Sequence, residues 1–280
     1  MAARRRVAIT GTTGQLGRAL VAANSGSWDI LAINRSDTDL SDWSTVRDRI
    51  VGFAPDLVIH AAAATDVDGC ERDPAMAFLG NALATRHVAR AAAACDAQLV
   101  YISTNFVFDG GKSDPYHEFD APAPISVYGA SKLAGEVEAR AATKRCFVVR
   151  TSMVFAPEGR NFVLTMRRLM AERDRLTVVD DQFGNPTYAP DLASAIVALI
   201  DRAPFGTYHV TNAGSASWHS WACEIAAVTG ATSAIEPIPA ASYRRDATPP
   251  ANGILQSLTL PQLGIELPDW RDALRRCLST

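Results

Sequence analysis

Near its start the chain runs Val7, Ala8, Ile9, Thr10, then Gly11, Thr12, Thr13, Gly14, Gln15, Leu16, Gly17, and then a helical stretch from Arg18 to Ala23. A short buried strand, a glycine turn and a helix in that order constrain the fold more than anything else in the sequence. Gly11 permits the tight turn and Gly14 lets the backbone approach a pyrophosphate. Gly17 lets the helix lie close to the strand, and the helix N-terminus offers unpaired N–H donors. The spacing is GxxGxxG, a relative of GxGxxG. A glycine triplet is also plain loop punctuation, and its position directly after the first strand is what favours a dinucleotide. Gly11, Thr13, Gly14, Gln15 and Leu16 are therefore candidate cofactor contacts.

Apolar runs alternate with helical patterns along the next 130 or so residues, the layout of a parallel sheet covered on both faces. Asp29–Asn34, Leu57–His60, Leu99–Ser103 and Phe147–Thr151 read as the next strands, with a later one at Gly206–Thr211. Thr45–Phe53, Pro74–Ala94 and Ser126–Ala142 read as helices. The expected fold class is α/β, a Rossmann-type doubly wound parallel sheet with a smaller C-terminal substrate-binding lobe. Residues 1–150 and 177–212 are assigned to the dinucleotide domain, and 151–176 and 213–280 to the smaller lobe.

A chain of 280 residues supports a large core with an appended lobe. Lys and Arg number 27 against 30 Asp and Glu, net −3, so there is no general attraction for nucleic acid or an anionic membrane. The cysteines, at positions 70, 95, 146, 223 and 277, are odd in number and lack metal-ligand spacing. They read as reduced core filler in a cytoplasmic protein. Arg4–Arg6 resemble the basic start of a leader, but the glycine turn breaks the apolar stretch that follows. No run reaches transmembrane length.

Tyr128 and Lys132 stand four residues apart at the start of the Ser126–Ala142 segment, on one helix face. A phenol and an ammonium sharing a pocket suggest an acidified phenol. At about 4 Å and an effective dielectric of about 20, the charge favours phenolate by about 4 kcal/mol, enough to bring a tyrosine from about 10 towards 7. A buried aromatic beside a snorkelling lysine is the bland alternative. In an open parallel sheet ligands bind beyond the carboxyl ends of the strands, which directs attention to three junctions. His60 is followed by the small Ala61, Ala62, Ala63 and Ala64. The second junction is Ser103, Thr104, Asn105 and Phe106, and the third is Thr151, Ser152 and Met153.

GTTGQLG, HAAAATDVDGCE, STNFVFDG, YGASKLAGE, VVRTSMVF, GRNF and VVDDQFGNPTY occur in the order seen in extended short-chain dehydrogenases. Together they resemble the dTDP-4-dehydrorhamnose reductase family from Val7 to about Asn212. The resemblance implies an NAD(P)H-dependent reductase of the C4 keto group of a nucleotide-linked 4-keto-6-deoxysugar, with Thr104, Tyr128 and Lys132 as its catalytic set. It also implies a supporting Asn81, sugar contacts at Thr65 and Val67, and a nucleotide loop through Gln182, Gly184, Pro186 and Thr187. Thr104, Asn105 and Met153 complete the candidate substrate wall.

Several positions depart from the family. Asn105 and Phe106 replace an Asp and a Tyr, Met153 replaces a Trp, and Thr248, Pro249 and Pro250 stand near an expected Arg-Pro, with Arg244 and Arg245 just upstream. These changes leave another deoxysugar reductase or an epimerase open as alternatives. A third alternative is a non-catalytic binding subunit, since the family is also similar to a regulatory partner of methionine adenosyltransferase. Where an acidic residue for the NAD ribose is expected, about 20 residues past the glycines, the chain has Asn34 and Arg35. That favours NADPH, with NADH as the alternative. Asp39 and Leu40 are candidates for the adenine wall. Gln15 and Pro190 stand where relatives that use magnesium at a dimer contact have carboxylates, so no metal is expected. A monomer or homodimer is expected.

Overall fold

The computed structural model describes residues 4–24 and 26–279. The outermost positions of the two expected lobes, 1–3 and 280, lie outside the described residues. β1 (Arg5–Thr10), α1 (Gln15–Asn24), β2 (Trp28–Ile33), α2 (Trp43–Phe53) and β3 (Leu57–His60) open the chain. α3 (Val67–Arg72) and α4 (Pro74–Phe78) follow, and α4 passes through a π turn at Leu79–Leu83 into α5 (Ala84–Ala94). Then come β4 (Gln98–Thr104), α6 (Val127–Ala142), β5 (Cys146–Thr151), β6 (Val154–Phe155), α7 (Phe162–Glu172) and β7 (Arg175–Val179). β8 (Phe183–Gly184), β9 (Thr187–Tyr188), α8 (Ala189–Arg202), β10 (Gly206–His209), β11 (Ala216–Ser217), α9 (Trp218–Thr229), β12 (Ala234–Ile238) and α10 (Trp270–Leu278) complete it.

Six strands form one sheet in the order β10-β5-β4-β3-β1-β2, and every neighbouring pair is parallel. Side chains alternate between faces, as the pleat requires. Val7 and Ile9 join the core that α1 and α8 cover, while Ala8 and Val58 join the core under α2, α5 and α6. The strand order reverses at β1, since β2 lies on one side of it and β3 on the other. A crevice at such a switch point is where an open α/β sheet binds its ligand.

A second core gathers α7, α9, α10, β7 and β12 around Phe155, Trp221 and Trp270. The expected boundary at residue 177 falls inside β7, which pairs with β12 along its length, so β7 groups with the smaller lobe. Leu260 and Ile265 return to the larger core. Cys70, Cys146 and Cys277 are buried, but Cys223 is exposed, so the core-filler reading fails for that thiol. No helix among the described residues is long and apolar enough to cross a membrane.

One buried ion pair fixes α6 against β5. The Arg150 guanidinium donates to both carboxylate oxygens of Glu136 at 2.8 Å, and Ser103 Oγ donates to the same carboxylate at 2.7 Å. Their side chains are 4% and 0% exposed. Removing one charge of such a pair leaves the other uncompensated, at a cost of about 3–5 kcal/mol. Glu136→Gln is therefore expected to lose about that much unfolding free energy in urea, and an unchanged midpoint would contradict this account.

Candidate active site

The glycine turn is built for close approach. Gly11 has φ +74, in the left-handed region, and a Cβ there would lie 2.8 Å from the backbone of Ala62. A Cβ on Gly17 would lie 2.2 Å from the Gly11 carbonyl oxygen, so α1 starts hard against the end of β1. The small residues after β3 thus face the glycine turn across the switch point.

From this junction a crevice of about 1300 Å³ extends under the smaller lobe. Its first stretch is lined by Gly11, Thr13, Gly14, Gln15 and Leu16, by Asn34, Arg35, Asp39 and Leu40 after β2, and by Ala61, Ala62 and Ala63 after β3. Its second stretch is lined by Thr65, Val67, Thr104, Asn105, Tyr128, Lys132, Met153 and Gln182. The candidate catalytic, cofactor and sugar contacts therefore lie on one cavity, whereas Asn81 and, of the expected nucleotide loop, Gly184, Pro186 and Thr187 do not line it. Three residues of its wall carry a buried hydrogen-bonding atom without a partner among the described residues: Gln15 Oε1, Thr38 Oγ1 and Thr151 Oγ1. Buried polar atoms of this kind call for a ligand's polar groups. With the glycine cradle, they fit a dinucleotide.

At the end of β2 the acids are already committed. Asp37 accepts from the Asn34 amide at 2.8 Å and pairs with Arg49 at 3.3 Å, while Asp39 accepts from the Ser41 amide and hydroxyl. The Ser41 hydrogen bonds hold the Asp39 carboxyl below its usual range. Asn34 accepts from the Thr12 hydroxyl, and the exposed Arg35 is the cation on this stretch of wall.

The helix that carries the tyrosine starts at Ser126, whose hydroxyl caps it by accepting from the Gly129 amide at 3.2 Å. Gly129 and Gly135 let α6 pack closely, since a Cβ would meet the Phe106 carbonyl oxygen at 2.1 Å and the Tyr101 hydroxyl at 2.2 Å respectively. Tyr128 is edge-on to Phe106 at 5.3 Å between ring centres and lines the crevice with Thr104, whose hydroxyl donates to Asn105 Oδ1 at 3.3 Å. Asn81, in the π turn, accepts from the Ala64 amide at 2.8 Å and donates to Ser131 Oγ at 2.9 Å, which braces α6 from behind.

The protonation states reverse the sequence expectation. Burial pushes the Tyr128 phenol up to about 12, against a smaller downward pull from the Thr104 hydroxyl. Burial pushes Lys132 down to about 7, opposed by the charge of Glu136. The Lys132 ammonium does not reach for the phenol. It donates to the Ile102 carbonyl at 2.7 Å and sits 4.3 Å above the Tyr101 ring. Desolvation acts on both heads together, and a neutral phenol beside a weakly basic amine costs less than two buried charges. The consequence is a phenol that keeps its proton at neutral pH, as a proton donor must.

Two expected sugar contacts are altered. The Asn105 amide nitrogen donates to the Gly253 carbonyl at 3.0 Å, so one of its two N–H groups ties down a strap of the smaller lobe. Met153 has φ +44, a conformation that costs a non-glycine residue about 1–3 kcal/mol, and its thioether packs on Gly184. Arg245 lines the crevice but is forked onto Asp68 at 3.1 and 3.3 Å. Arg244 does not line it. Sequence reasoning missed Thr38 and Trp218, both on the crevice wall. A threonine in a polar loop carries no spacing signal, and Trp218 reaches the site only through the packing of α9 in the smaller lobe.

Comparison with known proteins agrees with this geometry. The family described as RmlD substrate binding domain matches residues 5–280. A dTDP-4-dehydrorhamnose reductase of Mycobacterium tuberculosis H37Rv is 40% identical, over 98% of this chain and 92% of its own. One from Burkholderia thailandensis is 38% identical over 98% of both chains. The crystal structure of the Bacillus anthracis dTDP-4-dehydrorhamnose reductase in complex with NADP superposes with a TM-score of 0.96, at 39% identity and 99% coverage of each chain. With the strand–glycine–helix turn, the parallel sheet and the Thr104, Tyr128 and Lys132 cluster on one crevice, these matches show that the chain belongs to the dTDP-4-dehydrorhamnose reductase family.

Proposed function

We propose that this protein reduces the C4 ketone of dTDP-4-dehydrorhamnose, giving dTDP-rhamnose, with NADPH as reductant. The observation that carries the reading is that Tyr128, whose burial keeps its proton at neutral pH, shares with Thr104 and Lys132 the wall of the crevice that begins at the glycine turn. A bound dihydronicotinamide supplies the hydride that the ketone carbon accepts. Tyr128 gives its phenolic proton to the carbonyl oxygen, and Thr104 hydrogen-bonds the same oxygen as negative charge develops there. The Lys132 ammonium, one helical turn away, stabilises the phenolate that remains. Because Lys132 has a pKa near 7 in the buried site, the phenolate's own charge favours the protonated amine at the moment it is needed. We place the dinucleotide along Gly11–Leu16 and Ala61–Ala63, and the sugar between Thr65, Val67, Met153 and Gln182.

NADPH is preferred in this reading because Arg35 is a cation free to meet a 2′-phosphate, while Asp37 and Asp39 are held by their own neighbours. A hydrogen bond to a charged group contributes about 1.5–3 kcal/mol. Arg35→Ala should therefore weaken NADPH about 10- to 100-fold and leave NADH nearly unaffected. Equal losses for both dinucleotides would remove Arg35 from this role.

The activity is tested by following NADPH oxidation on adding dTDP-4-keto-6-deoxyglucose with and without a 3,5-epimerase. Turnover that depends on the epimerase is the expected result. Turnover without it assigns a different sugar, and no turnover under either condition rejects the reductase reading.

A further inference from the structure

A row of buried polar side chains beneath the crevice has no task in the chemistry above. His60, the last residue of β3, is 1% exposed. Its Nδ1 lies 2.7 Å from Thr10 Oγ1 and its Nε2 lies 3.1 Å from Thr85 Oγ1.

Counting donors fixes the direction of every bond in this row. Thr85 Oγ1 is 2.6 Å from the Asn81 backbone carbonyl, which is an acceptor only, so the single hydroxyl proton of Thr85 goes there. The neighbouring Tyr101 hydroxyl gives its own proton to the Lys132 carbonyl at 3.1 Å. Toward His60, Thr85 can therefore only accept, and Nε2 must carry the hydrogen. Burial and the charge of Lys132 push the ring's pKa down to about 3, so the ring is neutral and Nδ1 is an acceptor. Thr10 Oγ1 donates to Nδ1, and accepts in turn from the Ala62 amide at 3.2 Å. The result is one unbroken line of donors from the Ala62 N–H through Thr10, His60 and Thr85 to the Asn81 carbonyl.

Both ends of the line matter to the site. Ala62 lies directly under Gly11, on the seat assigned to the dinucleotide. Asn81 uses its side chain to grip both backbone polar groups of Ala64 and the Ser131 hydroxyl, one residue before Lys132. The floor Ala62–Ala64 is thus held at one end by the histidine line and at the other by the Asn81 amide. Both holds converge on the same π turn, a distortion often found at functional sites.

We propose that His60, fixed as the neutral Nε2–H tautomer, is a positioning residue that couples the dinucleotide seat at Ala62 to the Asn81 turn bracing the catalytic helix. The proposal rests on the dinucleotide reading of the crevice. It predicts that breaking the line loosens the Ala62 amide and weakens cofactor binding, with no sugar present.

Three measurements on the full chain test it. Long-range proton–nitrogen NMR of histidine-labelled protein should show His60 protonated at Nε2 and not titrating between about pH 5 and 8. An Nδ1–H tautomer or a titration in that range would overturn the proposal. Thr85→Val should speed hydrogen exchange at the Ala62 amide and weaken NADPH, measured by direct fluorescence titration, about tenfold. Thr85→Ser, which keeps the hydroxyl, should restore both. Folded Thr85→Val with native Ala62 protection and native affinity would refute the coupling. His60→Leu should match Thr85→Val if it folds, and the threonine pair with the tautomer measurement decides the matter if it does not. Failure of the unaltered protein to bind NADPH would instead reject the dinucleotide reading, while the tautomer and the Ala62 exchange would still judge the line itself.

Discussion

Tyr128→Phe is expected to lower turnover by about 10²- to 10⁴-fold while leaving NADPH affinity within about twofold, the range that removal of a general acid produces. The substitution deletes one hydroxyl and keeps the ring. The packing of that ring against Cys70, Ala77 and the edge of Phe106 is retained, so the seat of the dinucleotide is not disturbed. What disappears is the one ionisable proton of the side chain, which burial keeps in place at neutral pH. Steady-state turnover combined with a cofactor titration separates the two effects. Retained turnover would mean that the proton comes from elsewhere, and lost affinity would mean that the substitution had damaged the site.

The second large effect concerns Lys132 and is visible without any substrate. Its pKa is pushed down to about 7 by burial, against about 10.4 for the unfolded chain. Between those values the unfolded state binds more protons than the folded one, so stability rises with pH. The gain from about pH 7 to 9 is about 2 kcal/mol. Above about pH 9 the trend is opposed, because Cys146 and Tyr128, both pushed up to about 12, retain their protons in the folded state. Lys132→Met should abolish the rise, be the more stable protein at pH 7, and lose most of its turnover. Urea unfolding at a series of pH values reads the first two outcomes. A variant whose stability climbs with pH as steeply as the parent's would show that the buried amine is not the titrating group.

The same pair marks where sequence reading succeeded and where it failed. The four-residue spacing places Tyr128 and Lys132 on one helix face, and the glycine spacing identifies the turn, because both follow from local backbone geometry. The charge state did not follow. Coulomb attraction at an assumed distance favoured phenolate, whereas the folded chain buries both heads and directs the amine to the Ile102 carbonyl. Burial is a property of the whole packing and has no local signature. Asn105 is a similar case: its place after β4 was legible, but its bond to Gly253 joins residues 148 apart in sequence. The smaller lobe was the least legible part. β7 and β12 pair across a long separation, and no periodicity in either segment announces the other. His60 was visible as a strand-end residue, and only the folded positions of Thr10 and Thr85 on either side of it give the ring a direction.

The most direct measurement follows the hydride itself. NADPH carrying deuterium at both C4 positions of the nicotinamide is supplied with dTDP-4-dehydrorhamnose, and the sugar product is analysed by mass spectrometry and proton NMR. The account predicts one deuterium on sugar C4 for each cofactor oxidised, and a loss of both label transfer and cofactor oxidation in Tyr128→Phe. Cofactor oxidation that leaves the sugar unlabelled, or label transfer that continues unslowed without the Tyr128 hydroxyl, would contradict it.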